Sequence, residues 1–280
     1  MEELDSCWVR ANPIMAGTSP LSRFTRASHW RDLLVEMVWR DLKIQYKRSV
    51  LGIFWSLLNP LMQFAVLVFV FQYLLRLRVP GHTPYAPFVF VGVLVWSWFS
   101  ASVQQAALAV TTNPELVRHP GFPPQILPMV TVTKNLVHFV LAVPVLSGFL
   151  LASGVVFGVV VVWLPIVILV QYVLTLSLAY FVAALNVLFR DTQHIVGVLL
   201  LVAFYATPVF YSPEQVPERF RTFYFCNPMV HIIDATRAVL LRAQTPDFRT
   251  LGAVGTAAAV FLVFACWFYD HMSARFVDEV

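Results

Sequence analysis

The sequence lacks charge over an unusually long stretch. From Asn135 to Phe189, 55 consecutive residues include no Asp, Glu, Lys or Arg. A single α-helix of that length would extend about 80 Å at ~1.5 Å per residue. The hydrocarbon core of a bilayer is only about 30 Å thick. The stretch must therefore cross a membrane, turn and cross back, which excludes a water-soluble fold.

Charged residues and cysteines are also scarce in the chain as a whole. Charged residues make up 12% and hydrophobic residues 59% of the 280 residues, whereas soluble domains are about 25% charged. This composition predicts a single membrane domain. The three cysteines have the spacing of neither a metal site nor a disulfide framework. The net charge of +4 is too small to indicate nucleic-acid binding.

Basic residues are concentrated at the N-terminal end, where eight of the 19 lie within the first 50 positions. Because Lys and Arg flank spans on the cytoplasmic side, we expect residues 1–27 to be a flexible cytoplasmic N-terminus. Residues 28–47 then form an amphipathic interface helix with Ser28 as its N-cap. Asp41 interrupts the apolar face of this helix, which predicts either a bend or a specific partner for its carboxylate.

The apolar segments predict an all-α polytopic membrane protein, with residues 28–280 as one transmembrane domain and both termini in the cytoplasm. Six spans are placed at residues 51–75, 87–110, 130–153, 163–188, 195–210 and 251–269. Residues 212–247 hold two apolar stripes, each shorter than the ~20 residues that cross a bilayer. They are predicted to be re-entrant half-helices, sheltered by protein or by a water-filled cavity.

Two loops on the predicted cytoplasmic side carry charges suited to contact another protein. Asn113-Pro114-Glu115 predicts the start of a short helix over residues 114–119, with Arg118 near its end. The second loop contains Arg190 and Asp191, which could either set topology or fix a neighbouring loop.

Groups that could perform chemistry within the membrane are few. Spans 1 to 5 contain only Lys134 and His138 as ionisable residues, whereas transport driven by protons or sodium usually needs such groups at membrane depth. A packed, hydrogen-bonded His138 is the expectation, rather than a proton relay. No paired carboxylates or metal cluster converge, so no catalytic or metal residue is assigned. There is no G-x-x-x-x-G-K-[ST] loop, so energy for transport must come from another polypeptide.

Aromatic residues, by contrast, are abundant: 24 Phe, 9 Tyr and 8 Trp. Interfacial belts account for many of them, but several lie inside spans. Aromatic faces stack on the C–H groups of sugar rings, so an uncharged aromatic conduit suits a long neutral glycan better than an ion. We expect Trp55, Phe204 and Tyr205 to line such a conduit; the alternative is that they face lipid.

Several motifs resemble one family, in order along residues 28 to about 245. They are RDLKIQYKRSVLG at 40–52, WSLLNPL at 55–61, NPEL at 113–116, NVLFRD at 186–191, TPVFY at 207–211 and NP at 227–228. These resemble the ABC-2 type permease subunits of bacterial polysaccharide ABC exporters, which export O-antigen, teichoic acid, capsule and related glycans. The family pattern usually has Arg at the position of Pro124, so this loop is less basic than is typical.

The resemblance implies a homodimer with a central channel and two separate ATP-binding subunits, which would use ATP and Mg²⁺; no cofactor is expected in this chain. It implies a bacterial plasma (inner) membrane location, among membrane lipids, and outward movement of a lipid-linked glycan past an outer gate at residues 212–247. Gate residues are expected to be Asn227, Pro228, Asp234 and Arg237. Residues expected to couple to the ATP-binding partner are Asp41, Glu115, Arg118, Arg190 and Asp191.

Two alternatives stay open. One is an ABC-2 permease with the same architecture and a smaller cargo, a drug or a small lipid. The other is a membrane-embedded glycan transferase, which would need catalytic carboxylates near the lipid head group; Asp234 and Asp270 are isolated in sequence. The glycan is not specified by the residues, and O-antigen, teichoic acid, capsule and cell-wall galactan are all compatible with them.

Overall fold

The computed structural model describes residues 20–47, 54–76 and 84–279, and all regular structure within these ranges is helical. Helix α1 spans Pro20–Tyr46. This helix starts eight residues before the predicted N-cap at Ser28. Residues 20–27, which were predicted to belong to a flexible terminus, are helical. Proline is favoured in a first helical turn, and no Gly or Pro interrupts residues 21–46. Residues 1–19 lie outside the described residues.

Helix α2 changes its hydrogen-bonding pattern along its length. It is α-helical over Phe54–Leu67, with Pro60 inside it, and continues as a π-helix over Val68–Leu74. The predicted span 51–75 therefore agrees with one helical segment, although residues 51–53 lie outside the described residues. A π-helical turn is uncommon and is often found at functional sites.

The remaining helices follow in chain order. They are α3 (Tyr85–Leu108), the short α4 (Pro114–Arg118), α5 (Ile126–Ala152), a 3₁₀ turn (Val159–Trp163), α6 (Leu164–Leu188), α7 (Thr192–Ala206), a 3₁₀ turn (Pro213–Gln215), α8 (Glu218–Phe225), α9 (Pro228–Leu240) and α10 (Phe248–Glu279). Four segments of the described chain are long and apolar enough to cross a membrane: Tyr85–Leu108, Ile126–Ala152, Val159–Leu188 and Phe248–Ser273. The chain is thus a multi-pass helical membrane protein.

In predicted spans 1 and 5 the apolar part of the helix is shorter than in the four long segments. Apolar helix covers Leu58–Leu74 and Thr192–Ala206. Helix α7 ends at Ala206 rather than at residue 210, because a residue before proline disfavours the helical conformation and Thr207 is extended at φ −106°, ψ 144°. Its 15 residues measure about 22 Å. Whether α2 and α7 complete six crossings stays a prediction.

The segment between α7 and α10 contains two short helices, as the sequence predicts. Helices α8 and α9 have eight and 13 residues, or about 12 and 20 Å, and the pair Asn227-Pro228 separates them. Asn227 is the N-cap of α9, and its side chain accepts a hydrogen bond from the Met229 N–H at 3.0 Å. Their re-entrant placement in the membrane stays a prediction.

The ends of α3 meet different neighbours and define the two ends of the bundle. The first half of α3 packs in a core with α9, including Phe90 and Ile232. The last turn of α3 packs in a second core with α1, including Ala106 and Met37. With 24 residues, α3 is about 36 Å long, so the α9 end and the α1 end lie about a membrane thickness apart.

Candidate functional site

A cavity of about 580 Å³, the central cavity, lies between α2, α3, α5 and α7. Its lining consists mostly of side-chain amides and aromatic rings. The amides are Gln45, Asn59, Gln63, Gln104, Gln105 and Asn135, and the rings include Trp55, Trp96, Trp98, Phe139, Phe204 and Tyr205. The structure therefore brings Trp55, Phe204 and Tyr205 to one cavity, from two helices that are far apart in sequence.

The central cavity is lined without formal charge among the described residues: no Asp, Glu, Lys or Arg borders it. His138 is the one histidine among its described lining residues, and its Nδ1 lies 2.9 Å from the Tyr46 hydroxyl. The two rings also pack edge to face at 5.8 Å. His138 is thus a packed, hydrogen-bonded residue that joins the end of α1 to the cavity wall.

The amides of the wall are held by further hydrogen bonds. Asn135 Nδ2 donates to Gln105 Oε1 at 3.2 Å and to the carbonyl of Thr131 at 3.0 Å. Gln104 Nε2 donates to the carbonyl of Gln193 at 3.1 Å. Gln193 lies two residues after Asp191, so the cavity wall is bonded directly to one of the predicted coupling loops.

The three predicted conduit aromatics occupy different environments. Trp55 and Tyr205 are 56% and 60% exposed, so the cavity they line is open to the surface. Phe204 is only 7% exposed, and its ring packs against Trp96 at 5.9 Å and Phe210 at 5.8 Å. Phe204 is therefore mainly a core residue, and Trp55 and Tyr205 offer the free faces.

Sequence reasoning missed the amides of the central cavity, although a signal was present. Asn59 and Gln63 are four residues apart, which places them on the same face of a helix. Gln104 and Gln105 likewise stand in an otherwise apolar span. Uncharged polar residues within transmembrane helices usually hydrogen-bond across helices or border a polar space, and that rule would have selected them.

At the α9 end, Arg237 is buried and bonded to backbone oxygens. It is 2% exposed. Nε and Nη2 donate to the Phe88 carbonyl at 3.1 and 3.0 Å, Nη1 donates to that of Pro208 at 2.6 Å, and Nη2 donates to that of Val209 at 2.8 Å. The guanidinium also lies 3.4 Å from the Phe88 ring centroid. The sequence assigned Arg237 to the outer gate; the structure shows that it ties α9 to α3 and to the segment after α7.

Carbonyls, rather than a carboxylate, balance the charge of Arg237. None of the four ion pairs found among the described residues includes it. Burial raises the pKa of the nearby Tyr224 hydroxyl, and also that of Tyr211, so neither forms a phenolate there at neutral pH. The carbonyls of Pro208 and Val209 follow the end of α7, where helical partners are missing. Arg237 supplies those partners.

A close approach at Gly92 and a hydrogen bond from Asn227 also hold α9 against its neighbours. A Cβ atom on Gly92 would lie 2.6 Å from Arg237 Nη2 and 2.7 Å from the Val209 carbonyl oxygen, so only glycine leaves room for this approach. Asn227 Nδ2 donates to Thr207 Oγ1 at 2.9 Å, which links the N-cap of α9 to the TPVF turn. Asp234, the remaining predicted gate residue, pairs instead with Arg242 at 2.9 Å.

At the α1 end, the predicted coupling residues lie on the surface. Glu115 and Arg118 are exposed on α4, and Arg190 and Asp191 are exposed between α6 and α7. Within the described part of the chain none of these four is in an ion pair. Asp41 pairs with its neighbour Arg40 at 2.9 Å.

The proline-rich loop after α4 is fixed by hydroxyl groups from two long helices. The Tyr180 hydroxyl of α6 donates to the Gln125 carbonyl, and the Tyr269 hydroxyl of α10 donates to that of Pro124, both at 2.9 Å. Gln125 Nε2 also donates to Asp270 at 3.1 Å. The loop that carries α4 is therefore attached to the transmembrane helices at several points.

Comparison with known proteins agrees with this arrangement. The sequence profile of the ABC-2 type transporter family matches residues 32–241. An O-antigen export system permease protein of Myxococcus xanthus is 36% identical over 257 residues, covering 90% of this chain and 96% of the relative. One from Klebsiella pneumoniae is 30% identical over 248 residues, covering 88% and 94%.

A more distant relative is the polysialic acid transport protein KpsM of Escherichia coli, 18% identical over 243 residues, with 81% of this chain and 89% of the relative covered. The family profile covers most of the chain, and the motifs that carry the resemblance fall within it. The chain belongs to the ABC-2 type transporter membrane family.

Proposed function

We propose that this chain is the membrane-spanning subunit of an ATP-driven exporter, and that its cargo is a neutral, lipid-linked polysaccharide. The observation that carries this proposal is the central cavity, whose described lining offers amides and aromatic rings but no charge. Amides both donate and accept hydrogen bonds, as sugar hydroxyls do, and aromatic faces stack on the C–H side of sugar rings. An uncharged lining also favours a neutral glycan over an acidic one such as polysialic acid.

A second copy of the chain would complete the conduit. The cavity is open on the side where Trp55 and Tyr205 are exposed. The adjoining outer faces of α2 and α7 carry large exposed apolar residues, among them Met62, Phe69 and Val202. Exposed apolar area of this kind fits either lipid or a partner surface. In a homodimer with two-fold symmetry, two such cavities would face each other in a bacterial plasma membrane.

ATP-binding subunits are the partners with which ABC-2 permeases work, and we place their contact at the α1 end of the bundle. This location agrees with the positive-inside reading of the N-terminal end, with both termini in the cytoplasm. The exposed residues Glu115 and Arg118 on α4 are the proposed contacts. Motion of α4 would reach the long helices through the bonds of Tyr180 and Tyr269. ATP and Mg²⁺ would act in the partner.

Charge reversal tests the coupling contact. Glu115→Lys with Arg118→Glu should uncouple ATP hydrolysis from export while the complex still assembles, because both side chains are exposed and outside the core. The measurement is ATPase activity and surface glycan at equal complex yield, with Arg31→Glu on α1 as an exposed-charge control. Normal export by the double variant would remove α4 from the coupling role.

The cargo is tested at the exposed rings of the central cavity. Trp55→Ala and Tyr205→Ala should each lower export of long glycan chains about two- to tenfold, since a stacked ring contributes about 0.5–1.5 kcal/mol. Depleting the chain should also make the unexported polymer accumulate inside the cell. The measurement is surface glycan, by lectin or sugar-specific stain, at equal protein level.

The matched control is Leu169→Ala on α6, which removes an apolar side chain of 59% exposure and changes neither the cavity lining nor the proposed dimer face. Phe204→Ala is a poorer probe, because it removes a core ring at a cost of about 3–5 kcal/mol. Unchanged surface glycan in both ring variants would place the conduit elsewhere. Accumulation of a drug or a small lipid, with no polymer, on depletion would favour the smaller cargo.

A further inference from the structure

A second cavity, of about 310 Å³, lies at the α9 end and differs from the central cavity in being lined by charged groups. We call it the exit cavity. Its ionisable lining consists of Glu214, His231, Asp234, Arg237 and Arg242. Asp234 and Arg242 form an ion pair at 2.9 Å, and Glu214 is exposed beside them.

The charges of the exit cavity cancel. Two guanidinium groups face two carboxylates, so the lining has no net charge with His231 neutral. A bound anion would meet Asp234 and Glu214, and a bound cation would meet Arg237 and Arg242; each therefore encounters like charges as well as opposite ones. The balance disfavours an ionic ligand and favours a neutral ligand rich in hydrogen-bonding groups.

The hydrogen-bonding groups still available match those of a polyhydroxylated ring. Arg237 has five N–H groups but makes four hydrogen bonds in the described structure, and one of the two N–H groups of Nη1 takes no part in them. His231 Nε2 lies 2.8 Å from the Phe225 carbonyl, so in the neutral ring Nε2 carries the proton and Nδ1 can accept. Carboxylates accept hydrogen bonds and guanidinium groups donate them. Sugar hydroxyls do both, so they can bond to either kind of group in this cavity.

An aromatic face accompanies these polar groups. The rings of Phe225 and His231 stack at 5.9 Å with an interplanar angle of 23°, and Phe225 is 46% exposed. A planar apolar surface beside paired donors and acceptors is the combination that binds a sugar ring by its C–H face and its hydroxyls together.

The exit cavity borders the same helix, α3, as the central cavity. Leu94 borders the central cavity and Phe88 borders the exit cavity. Six residues of one helix separate them, which is about 9 Å. A chain that moves along α3 from the central cavity towards the α9 end would therefore reach the exit cavity next.

We propose that the exit cavity binds one sugar residue of the exported chain as it leaves the central cavity, an inference that rests on the polysaccharide export proposed above. Asp234, Arg242 and the free N–H of Arg237 would hold its hydroxyls, and Phe225 its apolar face. The central cavity then lets the chain slide past neutral amides, and the exit cavity holds it more firmly through charge-assisted hydrogen bonds.

Photocrosslinking in cells that make the glycan tests this site in the assembled transporter. p-Benzoylphenylalanine replaces Glu214, an exposed residue of the exit cavity, and in a separate variant Glu218. Glu218 is an exposed glutamate on α8 that pairs with Arg221 at 3.7 Å and does not line the cavity. We expect a glycan-reactive ladder on the chain labelled at position 214 and none on the chain labelled at 218.

Substitutions then test the bonding groups. Asp234→Asn, and separately Arg242→Gln, should lower the crosslink yield at position 214 about fivefold, because each removes a charge-assisted hydrogen bond. Glu218→Gln is the control and should leave the yield unchanged. Protein level and complex assembly are measured for each variant. A third cavity variant, Phe225→Leu, keeps the apolar bulk and the ion pair but removes the aromatic face.

Three results would overturn the proposal: no glycan on the position-214 chain while export continues, equal glycan at 214 and 218, or a position-214 product that contains lipid but no sugar. Unchanged yield in all three cavity variants would also overturn it. Failure of the export function itself is separate, since depletion of the unmodified chain would then leave surface glycan unchanged.

Discussion

The α9 end and the α1 end of the bundle are stabilised in opposite ways. At the α9 end, one charged side chain, Arg237, makes four hydrogen bonds to three carbonyls and is itself buried. At the α1 end, the hydroxyl groups of Tyr180 and Tyr269 donate to two different carbonyls of the proline-rich loop. Loss of Arg237 should therefore weaken the first end strongly, although Asn227 still bonds to Thr207 there, whereas the second end should loosen by degrees.

The difference fits the two proposed tasks. A gate that is either closed or open is suited to one buried residue whose hydrogen bonds form together. A loop that receives motion from a partner subunit is suited to several weaker hydrogen bonds, which can change one at a time. Between the two ends, the central cavity contains no charge among its described lining residues, so a neutral chain would meet charged groups only at the exit cavity.

The largest expected effect follows from removing Arg237. Arg237→Leu should destabilise the transporter by about 3 kcal/mol or more, because it leaves the buried carbonyls of Pro208 and Val209 without this donor. Arg237→Lys should recover only part of the lost stability, since one ammonium group cannot reach all three carbonyl oxygens. Thermal unfolding of the purified complex in detergent measures both.

The control for Arg237 is a nearby arginine with an exposed ion pair. Arg242→Gln removes a bond to Asp234 and should cost about 0–1 kcal/mol. If Arg237→Leu and Arg242→Gln unfolded at the same temperature as the unsubstituted chain, the asymmetry between the two ends would be lost.

An intermediate effect is expected from filling the space that Arg237 needs. Gly92→Ala should cost about 1–3 kcal/mol, because its Cβ would overlap Arg237 Nη2 and the Val209 carbonyl. Gly148→Ala on α5 is the matched helical control: nothing lies within 4 Å of its Cβ position, and alanine favours the helix by about 1 kcal/mol. The two melting temperatures should move in opposite directions, and equal shifts would show that α9 does not depend on the close approach at Gly92.

The smallest effects are expected at the α1 end. Tyr180→Phe and Tyr269→Phe each remove one hydroxyl bond to the proline-rich loop, at about 1 kcal/mol. Hydrogen exchange of the amides at residues 119–125 should accelerate in each variant and further in the double variant. Loss of all protection in one single variant would mean that this end, too, depends on one residue.

Much of the fold could be predicted from residues alone. The charge-free run and the proline positions located the long spans to within a few residues, and Asn227-Pro228 correctly separated two short helices. The start of α1 was missed, because Ser28 looks like an N-cap while Pro20 can begin a helix equally well. The end of α7 was placed four residues late, because apolar residues continue past Pro208 although the helix does not.

The candidate site could be predicted only in part. Trp55 and Tyr205 were selected as surplus aromatics and do line the central cavity, and Arg237 was placed at the gate. The bonding of Arg237 to carbonyls 28 to 149 residues away has no local signature, and neither has the need for glycine at position 92. The exit cavity combines residues of the 3₁₀ turn Pro213–Gln215, of α8 and of α9 with Phe88 of α3, which is far from them in sequence.

By itself the sequence determined that this chain is a helical membrane protein, where its long helices run, and to which family it is similar, since apolar length, proline position and motif order are properties of consecutive residues. Only the tertiary structure decided which polar groups share a cavity, which aromatic faces are free, and how a buried arginine is balanced. Those outcomes depend on distances between helices that are remote in sequence, and on which hydrogen-bonding groups the packing leaves unpaired.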